Sequence, residues 1–168
     1  SNAIVGFSFM APNTPGAAGY VLCAFGNAGT TLAFLWLNAD MTLSVYRNTG
    51  TLLGTTTFAL AATQTYYIEL KIKFHGSTGT VALHVDNDAT LTLTGQNTGG
   101  TAWNQFNLGI AAPLGSNETR PVNQTYDYDD LVVMDGTGTE CTDFIGDVRV
   151  DVRVPTADGA LNDFTRST

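Results

Sequence analysis

Hydrophobic and polar residues alternate with a period of two along most of the chain. In TYYIELKIKF, every second residue from Tyr66 to Phe74 is apolar, and the residues between them are mostly polar or charged. This alternation is typical of a β-strand with one buried side. The segments TGTVALHVD and ATLTLTG repeat the pattern, and Asp86-Asn87-Asp88 between them has the chemistry of a hairpin turn.

The same rhythm predicts further strands on both sides of this region. They are IVGFSFM, GYVLCAF, TLAFLWLN and MTLSVYRN upstream, and FNLGIAA, YDDLVVMD and DVRVDVRV downstream. Turn signals separate ten or eleven strands, and no segment has a convincing helical period. The predicted fold class is therefore all-β, a two-sheet antiparallel jelly-roll sandwich. Residues 32–37 are apolar on both faces, so a second sheet plus a loop, or a neighbouring subunit, must cover them twice.

Composition and charge exclude several partners. The 168 residues include only 7 Lys and Arg and carry a formal net charge of -8. Nucleic acids and anionic membrane surfaces both require a basic face, so we expect neither as a partner. No apolar run reaches the length of a membrane-spanning helix. Charged residues make up 13% of the chain, against about 25% in typical domains, which favours a homo-oligomer.

The length predicts one domain. Residues 1–3 (Ser-Asn-Ala) resemble the remnant of an expression tag, and the jelly-roll domain is predicted over residues 4–155. Residues 156–168 are predicted to be a C-terminal tail or the start of a linker to a further region. Cys23 lies in an apolar strand and Cys141 in a polar loop, which favours two free thiols over a disulfide.

The inventory of reactive side chains argues against an enzyme. Retaining glycoside hydrolysis uses two carboxylates about 5–5.5 Å apart. Glu69, Glu118 and Glu140 are isolated, and no Glu accompanies Asp127 and Asp129, which have i, i+2 spacing. Neither a GxSxG motif nor the ligand spacing of a zinc site is present. We therefore expect no catalytic residues.

The acidic stretch YDYDDLVVMDG allows two interpretations. Asp127, Asp129 and Asp130 could bind calcium, a hard cation that prefers clustered oxygen ligands. Alternatively, Asp129 and Asp130 accept backbone N–H bonds from adjacent loops, at a strand junction at the end of the sandwich, and Asp135-Gly136 begins a turn. The spacing does not match an EF-hand loop. We expect no cofactor, with calcium as the alternative.

Two polar loops that carry aromatic residues are candidates for carbohydrate binding, because loops on a rigid scaffold commonly carry binding residues. The candidate side chains are Trp103, Asn104, Gln105, Asn117, Arg120, Tyr126 and Tyr128. For Trp103, the alternative is that it closes one end of the sandwich.

Several linked segments resemble the concanavalin A-like (laminin-G-type) jelly-roll domains of tailed-bacteriophage virion proteins. The segments are TLAFLWLNADMTLSVYRNTGTLLGTTTFAL, TYYIELKIKF, GSTGTVALHVDNDATLTLTGQNT and YDDLVVMDGTGTECTDFIGDVRVDVRVPTADG. In that family, a strand ending in a D-D-L-like run is followed by a D-G turn, by F-x-G-D-x-R-V and by a proline. The resemblance covers nearly all of the chain from Leu32 onward.

The resemblance implies a non-catalytic virion structural or adhesion module, in a tail fibre, a tail-associated protein or a capsid-decorating protein. Such a protein is assembled in the bacterial cytoplasm and contacts other virion proteins or itself, and host surface glycans are a further possible partner. The resemblance implies that Asp129-Asp130 and Gly146-Asp147 are framework positions, with a structural role. The metal-dependent sugar site of legume lectins is not matched, so no binding residue is carried over from it. The alternative function is a carbohydrate-binding module of a glycan-active enzyme.

Overall fold

The computed structural model describes residues 1–13, 19–48, 50–109 and 126–147. All ten regular elements in these ranges are β-strands. They are β1 (Asn2–Met10), β2 (Tyr20–Asn27), β3 (Thr30–Leu37), β4 (Thr42–Arg47), β5 (Thr51–Ala59), β6 (Thr65–Lys73), β7 (Gly79–Val85), β8 (Asp88–Gln96), β9 (Gln105–Leu108) and β10 (Asp127–Met134).

The strands form two antiparallel five-stranded sheets. Sheet A has the order β10-β1-β6-β7-β8, and sheet B has the order β5-β4-β3-β2-β9. Alternate residues of both sheets point inward and form one core, which includes Phe7, Phe9, Phe25, Leu35, Leu43, Ile68, Leu70 and Leu83, all with 0% of their surface exposed. The prediction of an all-β two-sheet antiparallel sandwich is therefore confirmed.

The hairpin between β7 and β8 follows the predicted turn chemistry. Val85 pairs with Asp88, which leaves Asp86 and Asn87 as a two-residue turn. Both have positive φ, at 51° and 71°. Two-residue hairpin turns of this kind require positive φ at both positions, and Asn and Asp tolerate it better than most residues. The turn aligns the inward residues of β7 with those of β8.

Strand β3 is buried on both faces, as its apolar sequence predicts. Leu35 and Leu37 face the core between the sheets. Phe34 points to the opposite face of sheet B, where it packs with Val21 and Ala24. Its ring stacks on Tyr46, with ring centroids 5.1 Å apart. Only 3% of Phe34 is exposed.

The outer strands of both sheets are irregular or short within the part of the chain that the structure describes. The pairing of β5 with β4 shifts register twice, the pairing of β8 with β7 also shifts twice, and β10 has one shift against β1. Strand β9 has only four residues. Bulges and short outer strands hinder the addition of a strand from another molecule. Self-association of the chain stays a prediction.

The first strand begins earlier than the sequence suggested. Asn2 and Ala3 belong to β1, and Ala3 is completely buried opposite Ile72 of β6. Residues 148–155 and the predicted tail over residues 156–168 lie outside the described residues. Within the ranges given above, no helix is long and apolar enough to cross a membrane.

Candidate functional site

An open groove lies at one corner of sheet A, on the face that points away from the core. Its volume is about 260 Å³. It is lined by Ser8, Met10, Thr65, Asp127, Tyr128 and Asp129. We call it the corner groove.

Three neighbouring strands position the residues of the corner groove. Met10 of β1 pairs with Thr65 of β6 on one side and with Asp127 of β10 on the other, and Ser8 pairs with Asp129. Directly opposed residues in paired strands point to the same face of a sheet. The groove therefore combines hydroxyl groups, a thioether and two carboxylates on a hydrogen-bonded backbone.

A β-bulge in β10 shapes the acidic side of this groove. Gly6 pairs with Val132 but Ser8 pairs with Asp129, so β10 contains one residue more than β1 in this interval. Asp130 lies within the bulge in a left-handed conformation, with φ of 51°. The Asp130 carboxylate (Oδ2) accepts a hydrogen bond from the Ser8 hydroxyl at 3.2 Å. Asp129 accepts one from the Asp130 backbone N–H at 2.8 Å.

These contacts agree with the strand-junction interpretation of Asp129 and Asp130, although their donors lie in β1 and β10 rather than in adjacent loops. The turn predicted at Asp135-Gly136 is also present: Asp135 accepts the N–H of Thr137 at 3.1 Å. No group of three or more His, Cys, Asp or Glu side chains in the described ranges could hold a metal ion. The calcium alternative for Asp127, Asp129 and Asp130 therefore gains no support from their geometry.

Tyr126 and Tyr128 pack into the sandwich rather than forming an exposed aromatic platform. The Tyr126 ring stacks on Tyr20, with centroids 3.9 Å apart and planes 7° from parallel. The hydroxyl groups of Tyr20 and Tyr128 are 2.7 Å apart, and the Tyr128 ring lies against Phe9. Burial, and then the neighbouring Tyr20, raises the pKa of Tyr128 well above its usual range. These aromatic rings join β1, β2 and β10.

Trp103 closes the end of the sandwich, as the alternative interpretation of this residue proposed. Its indole N–H donates a 2.6 Å hydrogen bond to the carbonyl of Asn2. Its ring contacts Phe25 edge-on, with centroids 5.4 Å apart. Both contacts direct the indole into the protein.

The two amides that follow Trp103 hold the turn between β2 and β3. The side-chain carbonyl of Asn104 accepts the N–H of Ala28 at 3.2 Å, and that of Gln105 accepts the N–H of Gly29 at 2.8 Å. The remaining sugar-binding candidates, Asn117 and Arg120, lie outside the described residues. The five described candidates have structural contacts and do not form one sugar-binding surface, although Tyr128 also lines the corner groove.

A segment that follows β10 crosses the outer face of sheet A. We call residues 135–147 the strap. Its contacts begin at β1 and end at the β7–β8 turn. They join Gly136 to Asn2 (3.2 Å), Thr142 and Asp143 to Lys71 (2.9 and 3.1 Å), Phe144 to the ring of His84 (3.8 Å between centroids) and Asp147 to Asn87 (3.3 Å).

The main polar attachment of the strap is Glu69, which sequence reasoning left as an isolated carboxylate. Its Oε1 accepts the backbone N–H groups of Ile145 and Gly146, at 2.9 and 3.2 Å. Only 1% of Glu69 is exposed, and Tyr67 on the same face is also buried. The prediction that β6 has one buried side is therefore wrong at these two positions, because the strap covers Glu69 and the Tyr67 side chain lies over Gly6 of β1. The sequence feature that marks this segment is the FIGD run ending at Asp147, which resembles the F-x-G-D run of the phage family.

The two cysteines are free thiols, as predicted. Cys23 is buried between the sheets, and burial raises its pKa to about 12. Because thiolate is the reactive form, Cys23 cannot serve as a nucleophile at neutral pH. Cys141 lies in the strap and is exposed.

A comparison with models of protein families and a comparison with curated proteins each found no match. Solved structures do match. A mutant of Trypanosoma rangeli sialidase with trans-sialidase activity has a TM-score of 0.55 and 15% identity over 80% of this chain and 20% of its own. The T. rangeli sialidase solved in complex with sialic acid has a TM-score of 0.53 and 14% identity over the same shares.

A tetrameric galectin from the ball sponge Cinachyrella matches 79% of this chain and 91% of its own with 13% identity and a TM-score of 0.49. The chain spans about a fifth of the length of the sialidase structures. At 15% identity or less, this similarity shows that the chain shares a β-sandwich fold with part of those proteins.

Proposed function

We propose that this chain is a non-catalytic module through which a larger protein contacts glycans. The observation that carries the proposal is the corner groove, where Ser8, Thr65, Asp127 and Asp129 present hydroxyl and carboxylate oxygens on three paired strands. A concave surface with a few convergent polar groups on a rigid scaffold is the usual form of a small-ligand site. Hydroxyl and carboxylate groups are suitable hydrogen-bonding partners for sugar hydroxyls.

The similarity to sialidases supports the glycan part of this proposal. In those structures, a sandwich of this fold accounts for about a fifth of a mutant sialidase with trans-sialidase activity and of a sialidase solved in complex with sialic acid. A module of the same fold in a larger glycan-recognising protein is consistent with the size of the present chain. The proposal concerns binding only, not the activity of a sialidase.

The non-catalytic part rests on how the reactive side chains are used. Glu69 is buried beneath the strap and bound to two backbone N–H groups. Cys23 is buried and protonated. Asp130 is bonded to Ser8 and Asp129 to the backbone of β10. These arrangements supply structural acceptors rather than an acid and a nucleophile placed across a cleft.

For the biological setting, we propose a bacteriophage virion, in which this module belongs to a tail fibre, a tail-associated protein or a decorating protein. The linked segments from TLAFLWLN to VPTADG, which resemble those of phage virion proteins, support this setting. A second candidate is a carbohydrate-binding module of a glycan-active enzyme, which the sialidase similarity favours. Identification of the parent polypeptide by mass spectrometry of purified phage particles would separate the two.

A glycan array tests the binding function. We expect the fluorescently labelled chain to bind at least one class of glycan, and we expect no release of reducing sugar from the bound glycans. The chain unfolded in urea and carrying the same label is the control for non-specific capture. Absence of binding to every glycan on the array would contradict the proposal, and sugar release would contradict its non-catalytic part.

A further inference from the structure

We propose that the corner groove binds a single neutral sugar ring, held by the carboxylates of Asp127 and Asp129, and that it discriminates against sialic acid. This inference rests on the proposed function and adds the location and the chemical class of the ligand.

The volume limits the size of the ligand. At about 260 Å³, the corner groove lies just below the range of about 300–1,000 Å³ for pockets that enclose drug-sized molecules. An extended oligosaccharide therefore has no room within it. One ring can enter while the rest of a longer chain projects into solvent.

The lining offers both polar and apolar contact. A sugar ring has hydroxyl groups around its rim and C–H groups on its faces. The Met10 side chain, with 37% of its surface exposed, provides an apolar and adaptable contact for a C–H face. Thr65 lies on one side of Met10 and Asp127 on the other, so both can contact hydroxyl groups of the same ring.

The bulge in β10 fixes the acidic side before a ligand arrives. The Asp130–Ser8 hydrogen bond ties the bulge to β1. The Asp129 carboxylate already has one oxygen bonded to the N–H of Asp130, which restricts its orientation. Such preorganisation reduces the ordering cost of binding. Asp129 and the exposed Asp127 can still accept hydrogen bonds on the groove side of the sheet.

The charge of the groove selects against acidic sugars. Among the described residues, its lining contains two carboxylates and no cationic side chain. Lys71, the cation bonded to the strap, is held by Asp143 rather than directed to this corner. A sialic acid carboxylate in the groove would lie well within the screening length of about 8 Å from both aspartates at physiological salt, so repulsion would persist. Neutral hydroxyl groups can instead donate to the carboxylates in charge-assisted hydrogen bonds.

Two-dimensional ¹H–¹⁵N NMR titration tests the proposal on the intact chain. The probes are the methyl glycosides of glucose, galactose and mannose, and N-acetylneuraminic acid. We expect at least one neutral glycoside to cause saturable shifts at the amides of the groove residues, and N-acetylneuraminic acid to cause none there. Asp127→Ala and Asp129→Ala should each weaken binding by about 10-fold or more, because each removes a charged hydrogen-bond acceptor.

Asp88→Ala is the matched control, because it removes the same charge from an exposed strand residue at the opposite edge of sheet A. It should bind like the unaltered chain. The unchanged spectrum of each variant away from the substitution establishes that it is folded.

The outcomes separate the two proposals. If a glycan binds on the array but the groove amides do not shift, or both aspartate variants bind normally, the groove assignment is wrong and the glycan-binding function stands. Preferential binding of N-acetylneuraminic acid would overturn the ligand class. If no glycan binds in either experiment, the proposed function fails and this inference fails with it.

Discussion

The carboxylate of Glu69, buried in β6, accepts the backbone N–H of Ile145 at 2.9 Å, although 76 residues separate them in the chain. The same oxygen accepts the N–H of Gly146. One side chain thus satisfies two backbone donors of a segment that has no regular secondary structure. Because Glu69 is itself buried and bonded to both N–H groups, it fixes the position at which the strap crosses sheet A.

Replacement of Glu69 by Ala should release this part of the strap. Loss of a charged acceptor leaves two N–H groups without their partner, so we expect the free energy of unfolding to fall by about 2–3 kcal/mol. Hydrogen exchange of the Ile145 and Gly146 amides should accelerate more than that of the β6 amides. Glu140→Ala, an exposed strap position, is the control and should change neither quantity. Equal exchange rates in the two variants would show that Glu69 does not anchor the strap.

The ion pair between Lys71 and Asp143 should contribute far less to the free energy of unfolding than Glu69 does. The backbone N–H of Phe144, and then Lys71, lower the pKa of Asp143. A carboxyl group with a lowered pKa contributes stability above its ordinary pKa, and this contribution is lost as the pH falls through the lowered value. The Asp143 side chain is 77% exposed. Asp143→Asn should therefore cost at most about 1 kcal/mol at pH 7 and nothing near pH 2, as measured by urea unfolding. A larger loss of stability at pH 7 would show that this ion pair, and not Glu69, is the main attachment of the strap.

The sandwich could be predicted from the sequence because its signal is local. Alternation of side chains is a direct consequence of strand geometry, so Ile68, Leu70 and Val81 could be placed inward without knowledge of their partners. The turn at Asp86-Asn87 was equally accessible, because its residue types suit positive φ. Strand β5, with two register shifts and two exposed or half-exposed leucines, has a weaker alternation and was not separately identified.

The candidate site was less predictable because it depends on contacts between distant segments. The sequence drew attention to Asp127 and Asp129, but their closeness to Met10 and Thr65 follows from the order of strands in sheet A. Exposed aromatic and amide residues looked like binding residues, whereas Trp103, Asn104 and Gln105 contact the protein itself. A polar residue type does not reveal whether its partner is a ligand or a backbone group.

The two thiols should differ in reactivity by orders of magnitude. Burial raises the pKa of Cys23 to about 12 from an ordinary value of 9.0, so its protonated form contributes stability below pH 9 that is lost as the pH rises towards 12. Cys141 is exposed. Ellman's reagent at pH 8 should therefore modify one thiol in the folded protein and two in urea. Cys141→Ser should abolish the reaction of the folded protein, and rapid modification of Cys23 in that variant would contradict its burial.

The bulge in β10 should make Asp130 intolerant of β-branched residues. Asp130 has φ of 51°, which costs an ordinary L-residue about 1–2 kcal/mol and a β-branched residue more. Asp130→Val also removes the acceptor of the Ser8 hydroxyl, so its free energy of unfolding should fall by about 2–3 kcal/mol in urea. Asp130→Asn retains an acceptor and tolerance of positive φ, and should be nearly neutral. The control is Asp129→Val, which removes the exposed acceptor of the Asp130 N–H but involves no positive φ, and Val favours strands, so the loss should be at most about 1 kcal/mol. Equal losses for the two valine variants would mean that the bulge moves along β10 without cost, and that it does not fix the acidic side of the groove.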